Sequence, residues 1–579
     1  MGATNIQWEL DEGIPQVDDP FIQQYLRGRA SLILEEQKQR HGGTLVLCAC
    51  LTTNLSTEAN ACTPDFTMRK ALSPIATHAC KIFSKIRDRE LRTFWPNGCP
   101  PPDAYQPSTL SQVEETDLWR ILRRMPKGSL LHAHLDTMVE AEFLFELAST
   151  TPGVHIAALK PVAAENDHVA PAIYFQYSPH SKGLNGPTIW DSEYTPQSLI
   201  EFHRAASSFP RGGESGFRDW LRDLLSNRKR QYESCEMLDQ VRKCHAGSAP
   251  IVNSLLSHEP ILRACLRRVF SQSNSDGVRY VEVRASFDTE FWRDSCCKPD
   301  EECAEWFRIF QEEVEAFKAT EEGRSFYGAR VIWTITHVSD KRAVVDEMVR
   351  CILTKKEYPD VICGLDVVGR DMNKPLVDLV PVLFWFRKQC MEEGVDIPFF
   401  FHAGESSSED GSIQPNTFDA ILLGTRRIGQ GLTLCKHPLL VDLVKEKKIL
   451  VECCPLSALD TSATMPLPLS GLLSRGVSVS LCNSPLEIFG HGEKGLTNRF
   501  WRALQESNEL ELTGIAMMAE NSVRWSCYED QPSTEWLSDI REGILGEGLK
   551  AFRLREWYAE LEKFFEWIAL EYAEEDIDD

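Results

Sequence analysis

An apolar run at residues 129–136, SLLHAHLD, ends in two histidines separated by one residue, His132 and His134. On a β-strand, residues two apart face the same side. The pair can therefore offer two neutral imidazoles to one cation, a donor type that suits zinc. A lone His-x-His is a weak signal, but a third imidazole, His402, lies near the end of a second apolar run, IPFFFHAGE (397–405). Glu405 follows it by three residues, where a carboxyl group could act as general acid on a substrate held at the metal. The bland alternative is three buried histidines satisfied by hydrogen bonds, with Glu405 closing a tight turn.

Such residues need a fold that gathers distant parts of the chain. Short β-rich apolar runs recur at 128–136, 278–286, 329–338, 361–369, 397–405, 426–434, 448–457 and 477–485. Amphipathic segments such as CAEWFRIFQEEVEAFK lie between them. Eight buried-type strands alternating with helices predict a parallel α/β fold. The number eight favours a (β/α)8 TIM barrel over an open doubly wound sheet. Polar residues collect at the C-terminal ends of the runs, in HAHLD, HAGE, IGQG and CNS. In a barrel those ends share one mouth, where active sites form. Residues 1–124 read as an N-terminal helical extension and 125–573 as the barrel. A Pro- and Gly-rich insert at 151–192 follows the first strand, extra helices follow the eighth, and 574–579 form an acidic tail.

The segments MPKGSLLHAHLD (125–136), FFFHAGE (399–405), RRIGQG (426–431) and CNSPLEIFG (482–490) together resemble the adenosine deaminase family of metal-dependent hydrolases. The match is closest to its adenosine deaminase-related growth factor branch and spans about residues 110–525. The resemblance implies one zinc ion per chain, held by His132, His134, His402 and the residue at Asn483. It implies that Glu405 protonates a purine ring as water adds to the neighbouring carbon. Asp136 matches a residue that contacts the sugar, and Gly369 one that approaches the base. The N-terminal extension implies a homodimer by analogy with that branch.

The departures from the family pattern fall at the centre itself. Gln430 stands where the family has the histidine that orients or deprotonates the attacking water, and Asn483-Ser484 stand where it has two aspartates. The seventh strand ends Cys454-Pro-Leu-Ser-Ala458 in place of C-P-x-S-N. A glutamine can hold water by hydrogen bonds but takes no proton near neutral pH. Losing such a base commonly costs roughly two to four orders of magnitude in rate. Asn483 can ligate only weakly through its amide oxygen, which lowers metal affinity. It also leaves a neutral three-histidine shell, which acidifies bound water strongly. Ser484 removes a charged contact to the purine. Two readings stay open. One is an altered metal-dependent hydrolase acting on a purine-like, nucleoside-like or biosynthetic small molecule. The other is a catalytically inactive deaminase-like protein that binds or regulates.

Composition narrows the partners. The 579 residues carry 62 Lys plus Arg against 86 Asp plus Glu, a formal charge of −24. That balance argues against nucleic-acid binding, which needs cationic surface. The early apolar run TLVLCACL (44–51) is too short to span a bilayer, so no membrane role is expected. Nineteen cysteines, an odd number at scattered spacings, fit neither a disulfide framework nor a C-x-x-C site. With an acidic N-terminus that lacks a signal pattern, these features predict a cytoplasmic protein acting on a small molecule. Cys454, Cys482 and His437 carry no expected function, the last reading as a helix-entry residue.

Overall fold

A computed structural model describes residues 13–50, 65–94, 112–162, 173–179, 186–226, 251–287, 289–300, 302–336, 341–368, 376–404, 415–454, 468–483, 495–506 and 510–576. Among these, eleven strands form: β1 (Gly128–His134), β2 (Val154–Ala158), β3 (Ile173–Tyr177), β4 (Ile200–Glu201), β5 (Val278–Ala285), β6 (Gly328–Ile335), β7 (Ile362–Val367), β8 (His402–Ala403), β9 (Arg427–Gln430), β10 (Leu450–Cys453) and β11 (Val479–Leu481). β1 and β5 to β11 coincide with the eight apolar runs. They pair in parallel in the orders β1-β5-β6-β7 and β11-β10-β9-β8. A parallel bridge from Leu365 to Phe399 joins β7 to the segment entering β8. The strands thus run in chain order around a (β/α)8 barrel, with helices between successive strands. β6 is buried along its whole length, as expected of a strand covered on both faces.

The seam between β1 and β11 is sealed by the helix Leu512–Arg524. Ser522 Oγ accepts from Ser129 N at 2.8 Å, and Asn521 Nδ2 donates to the Val479 carbonyl at 2.9 Å. One helix turn therefore satisfies backbone groups on both edge strands. Gly128 permits this approach. Its φ is +74°, and a Cβ there would lie 2.6 Å from Ser522 Oγ and 2.8 Å from the Ala519 carbonyl.

The MPKG segment couples the extension to the barrel. The helix Asp117–Arg124 begins with Thr116 Oγ1 accepting from Trp119 N at 3.2 Å, and Glu90 caps the same end through Asp117 N at 3.0 Å. Its buried face presents Leu118, Trp119, Ile121 and Leu122. The wholly buried Lys127 ammonium serves the other end. It donates to the Leu122 carbonyl at 2.8 Å and to the Asp276 carbonyl, just ahead of β5, at 2.7 Å.

The N-terminal helix Pro20–Cys50 lies on the helices that follow β8 and β9. Arg29 forks onto the buried Asp419 at 2.6 and 3.0 Å, and Glu36 accepts from Leu439 N at 3.0 Å, at the start of helix Pro438–Glu446. His437 is that helix's N-cap residue, matching its expected place. The insert supplies β2 and β3 to a small antiparallel sheet of order β3-β2-β4, whose third strand is Ile200–Glu201.

Candidate metal centre

His132 and His134 both lie on β1, but the strand is not regular there. Leu130 pairs with Val281 and Ala133 with Val283, so one extra residue bulges out over Leu131 and His132. Bulges re-aim side chains and recur beside functional sites. His132 is wholly buried, while His134 and His402 are partly exposed at the strand ends. The ring of His402 lies 4.6 Å from that of His132 and 5.2 Å from that of His134, centroid to centroid. Gly429 on β9 leaves room for them. A Cβ there would sit 3.0 Å from His132 Cε1 and 3.3 Å from His402 Cγ.

One nitrogen from each of the three histidines falls within 4.8 Å of the others. Zinc–nitrogen bonds of about 2.0–2.1 Å at a tetrahedral angle place two ligand nitrogens about 3.3–3.4 Å apart. His134 Nε2 and His402 Nε2 are 3.3 Å apart. His132 Nε2 is buried with no hydrogen-bond partner among the described residues, an uncommon state for a buried polar atom. A cation at the shared focus answers all three observations, so the residues present fit a metal ion.

The rings are held from behind. His132 Nδ1 lies 2.8 Å from Glu452 Oε2, and His402 Nδ1 lies 2.6 Å from Asp366 Oδ2. Both carboxylates are completely buried. Burial lowers the His132 pKa to about 3, with Arg284 and the His402 ring adding to the effect against the pull of Glu452. It is therefore a neutral imidazole, the form that binds metal. Burial would raise Asp366, but His402 and Arg284 outweigh it and hold the pKa at about 2. Burial likewise opposes ionisation of Glu452, and Arg284 and Arg427 overcome it. Arg427 donates to Glu452 Oε1 at 2.6 Å, reaches Glu282, and gives Nη1 to the Trp525 carbonyl at 3.0 Å. Beneath the histidines thus lies a buried ionic layer of Glu282, Arg284, Asp366, Arg427 and Glu452.

Gln430 ends β9 with φ of +69°, a left-handed conformation rare for a residue with a side chain. Asp136 is buried in the turn directly after β1. Asn483, just past β11, is buried, and its carbonyl accepts from Cys454 Sγ at 3.5 Å. Glu405, Gly369, Ser484 and Ala458 lie outside the described residues. Burial pushes the Cys482 thiol up to about 12 and Cys454 well above its ordinary value. Neither is a ready nucleophile.

A family model described as Adenosine deaminase matches residues 249–543, from the helix before β5 through β11 and beyond. The chain belongs to the adenosine deaminase family. Adenosine deaminase 2 of Dictyostelium discoideum is 28% identical over 418 residues, covering 71% of this chain and 71% of that protein. Adenosine deaminase 2 of Homo sapiens is 25% identical over 527 residues, covering 86% and 88%. A solved amidohydrolase from Burkhoderia ambifaria with bound Zn aligns with 15% identity and a TM-score of 0.47, covering 78% of this chain and 95% of its own. No helix among the described residues is long and apolar enough to cross a membrane.

This adenosine deaminase family chain carries its ionic layer in plain view. Glu282 and Arg284 in VRYVEVRAS, Asp366 in VICGLDVVG, Arg427 in RRIGQG and Glu452 in KILVECC are charged residues inside otherwise apolar strands. Such residues are almost never fully buried unless paired. That rule was the available signal, and reading only the strand ends passes over it.

Proposed function

We propose that this chain is a zinc-dependent hydrolase that releases ammonia from a small purine-like or nucleoside-like molecule, through a centre altered from the family pattern. The observation that carries this reading is the convergence of His132, His134 and His402, with buried carboxylates behind His132 and His402. Drift after loss of catalysis gives no reason to keep a buried nitrogen with no hydrogen-bond partner among the described residues beside two other imidazoles. Zinc bound there supplies Lewis acidity that makes water nucleophilic near neutral pH.

The protein's own groups do the rest. Glu405 delivers a proton to the ring nitrogen of the substrate. Gln430 orients water through its amide without accepting its proton, and Asn483 offers an amide oxygen where the family has a carboxylate. Asp136 hydrogen-bonds a sugar hydroxyl, Gly369 allows close approach of the base, and Ser484 gives a short neutral contact. The same reading makes the protein a cytoplasmic homodimer.

The test is metal content by mass spectrometry on protein purified without chelators, beside a His132→Ala/His134→Ala control. It is paired with ammonia release from a panel of aminopurine nucleosides and nucleotides. One equivalent of zinc lost in the control, with turnover abolished by Glu405→Gln, supports the reading. The substitutions at Gln430 and Asn483 favour a second one, a deaminase-like binding protein. Folded protein with no metal and no turnover would establish it.

A further inference from the structure

Arg284, on β5 and wholly buried, touches the supports of two histidines at once. Its Nε donates to Asp366 Oδ2 at 2.7 Å, and its Nη2 to Glu452 Oε2 at 2.8 Å. These are the same two oxygens that face His402 Nδ1 and His132 Nδ1. Arg284 Nη1 also donates to the Leu131 carbonyl at 3.1 Å, one residue before His132. Nη2 lies 3.4 Å from the Phe400 carbonyl, two residues before His402. One guanidinium therefore contacts the backbone leading to each ring and the carboxylate behind it.

We propose that Arg284 is the positioning residue that locks His132 and His402 as a pair, fixing both as Nδ1–H tautomers with Nε2 turned to the shared centre. An ionised carboxylate only accepts hydrogen bonds, so a ring nitrogen 2.6–2.8 Å from it must carry the proton. On the neutral ring the other nitrogen then keeps a lone pair for a metal. The guanidinium can only donate, so both carboxylate oxygens accept from it, at 2.7 and 2.8 Å, in a buried interior. Its rigid planar fork also sets the spacing of the two oxygens. A lysine supplies the charge but not the fork. The inference rests on the metal-centre reading for its consequence, while the tautomer lock itself is a property of the protein alone.

The experiment is nitrogen-15 NMR of histidine side chains in metal-free protein, assigned with His132→Gln and His402→Gln, together with zinc affinity by chelator competition. In the wild type both rings are expected as Nδ1–H, and the Arg284 guanidinium protons are expected to exchange slowly with solvent. Arg284→Lys should release both rings into mixed tautomers and weaken zinc binding by about 10–100-fold, the usual effect of losing an outer partner of a metal ligand. Arg330→Met is the control for general loss of a buried cation. Arg330 bonds Asp530 and the carbonyls of Cys527 and Ile362, and none of its hydrogen-bond partners is one of the histidines or their carboxylates. It should destabilise the protein without moving tautomers or affinity.

An Nε2–H ring at either position in the wild type overturns the lock. So does Arg284→Lys with both rings fixed and affinity within twofold, or an equal effect from Arg330→Met. If Arg284→Lys does not fold, fast exchange of the wild-type guanidinium protons overturns the proposal and slow exchange supports it. Two Nδ1–H rings in a protein that binds no zinc remove the metal reading and leave the lock. Zinc bound by the wild type, with both rings still fixed and affinity unchanged in Arg284→Lys, leaves the metal reading and removes the lock.

Discussion

Replacing Glu452 by glutamine probes how the ionic layer and the histidines depend on each other. Glu452 accepts on both oxygens: Oε1 takes Arg427 Nε at 2.6 Å, and Oε2 takes Arg284 Nη2 and His132 Nδ1, each at 2.8 Å. An amide accepts on one side only. If the glutamine oxygen faces Arg284 and His132, its NH2 meets the Arg427 Nε–H, and a buried donor is left unsatisfied at about 1–3 kcal/mol. If the oxygen faces Arg427, the NH2 meets Arg284 Nη2 and His132. The ring can then accept at Nδ1 only by moving its proton to Nε2, which blocks the lone pair a metal needs. The first arrangement destabilises the fold with or without metal, and the second also opposes metal binding.

The charge count points the same way. The layer holds two guanidiniums against three carboxylates, so the third carboxylate is the one left to balance a bound cation. Loss of an outer partner costs about 10–100-fold in metal affinity. By linkage, that removes about 1.4–2.7 kcal/mol of the stabilisation that saturating zinc confers. The assay is urea unfolding of wild type and Glu452→Gln, each with and without excess zinc. The metal-free proteins should differ by about 1–3 kcal/mol, and the zinc-dependent increment should shrink by the further amount. An undiminished increment in the variant would refute the reasoning.

Three further outcomes are expected. Lys127→Met removes a buried ammonium from the Leu122 and Asp276 carbonyls and should cost about 1–3 kcal/mol for each acceptor left unsatisfied, read in urea unfolding, with zinc stoichiometry unchanged; a loss under 1 kcal/mol would show that the MPKG lysine is no staple. Gln430→Gly relieves a left-handed φ of +69° and should leave stability unchanged or raise it by about 1 kcal/mol, while abolishing ammonia release; retained turnover would take Gln430 out of the mechanism. Burial lowers the Lys550 pKa to about 7, below the usual value of about 10.4 in an unfolded chain. The unfolded state then binds the extra proton across this window, so stability from this group rises with pH from about 7 to 10 and is lost below it, by up to about 1.4 kcal/mol per unit. Wild type should gain on Lys550→Met between pH 7 and 9, and parallel stability curves would contradict the assignment.

Much of this architecture is legible in one dimension because its signals are local. A strand buried on both faces must be apolar along its length, and eight such runs count the barrel. The strand-end histidines stand out because polar residues that close apolar runs have few structural uses. The resemblance to the family is likewise carried by short segments, HAHLD and HAGE among them. The tertiary structure alone decided the pairings. Arg284 is silent in VRYVEVRAS until β5 places it between Asp366 on β7 and Glu452 on β10. The proton positions on His132 and His402 depend on those distant carboxylates. The bulge at Leu131–His132 and the seam closed by Asn521 and Ser522 are also invisible in periodicity, since both arise where strands are forced to curve and close. Local pattern reports whether a residue is buried. Which partner makes that burial affordable is set by chain segments up to several hundred residues away, and for the five charges under these histidines that partner determines what the site can do.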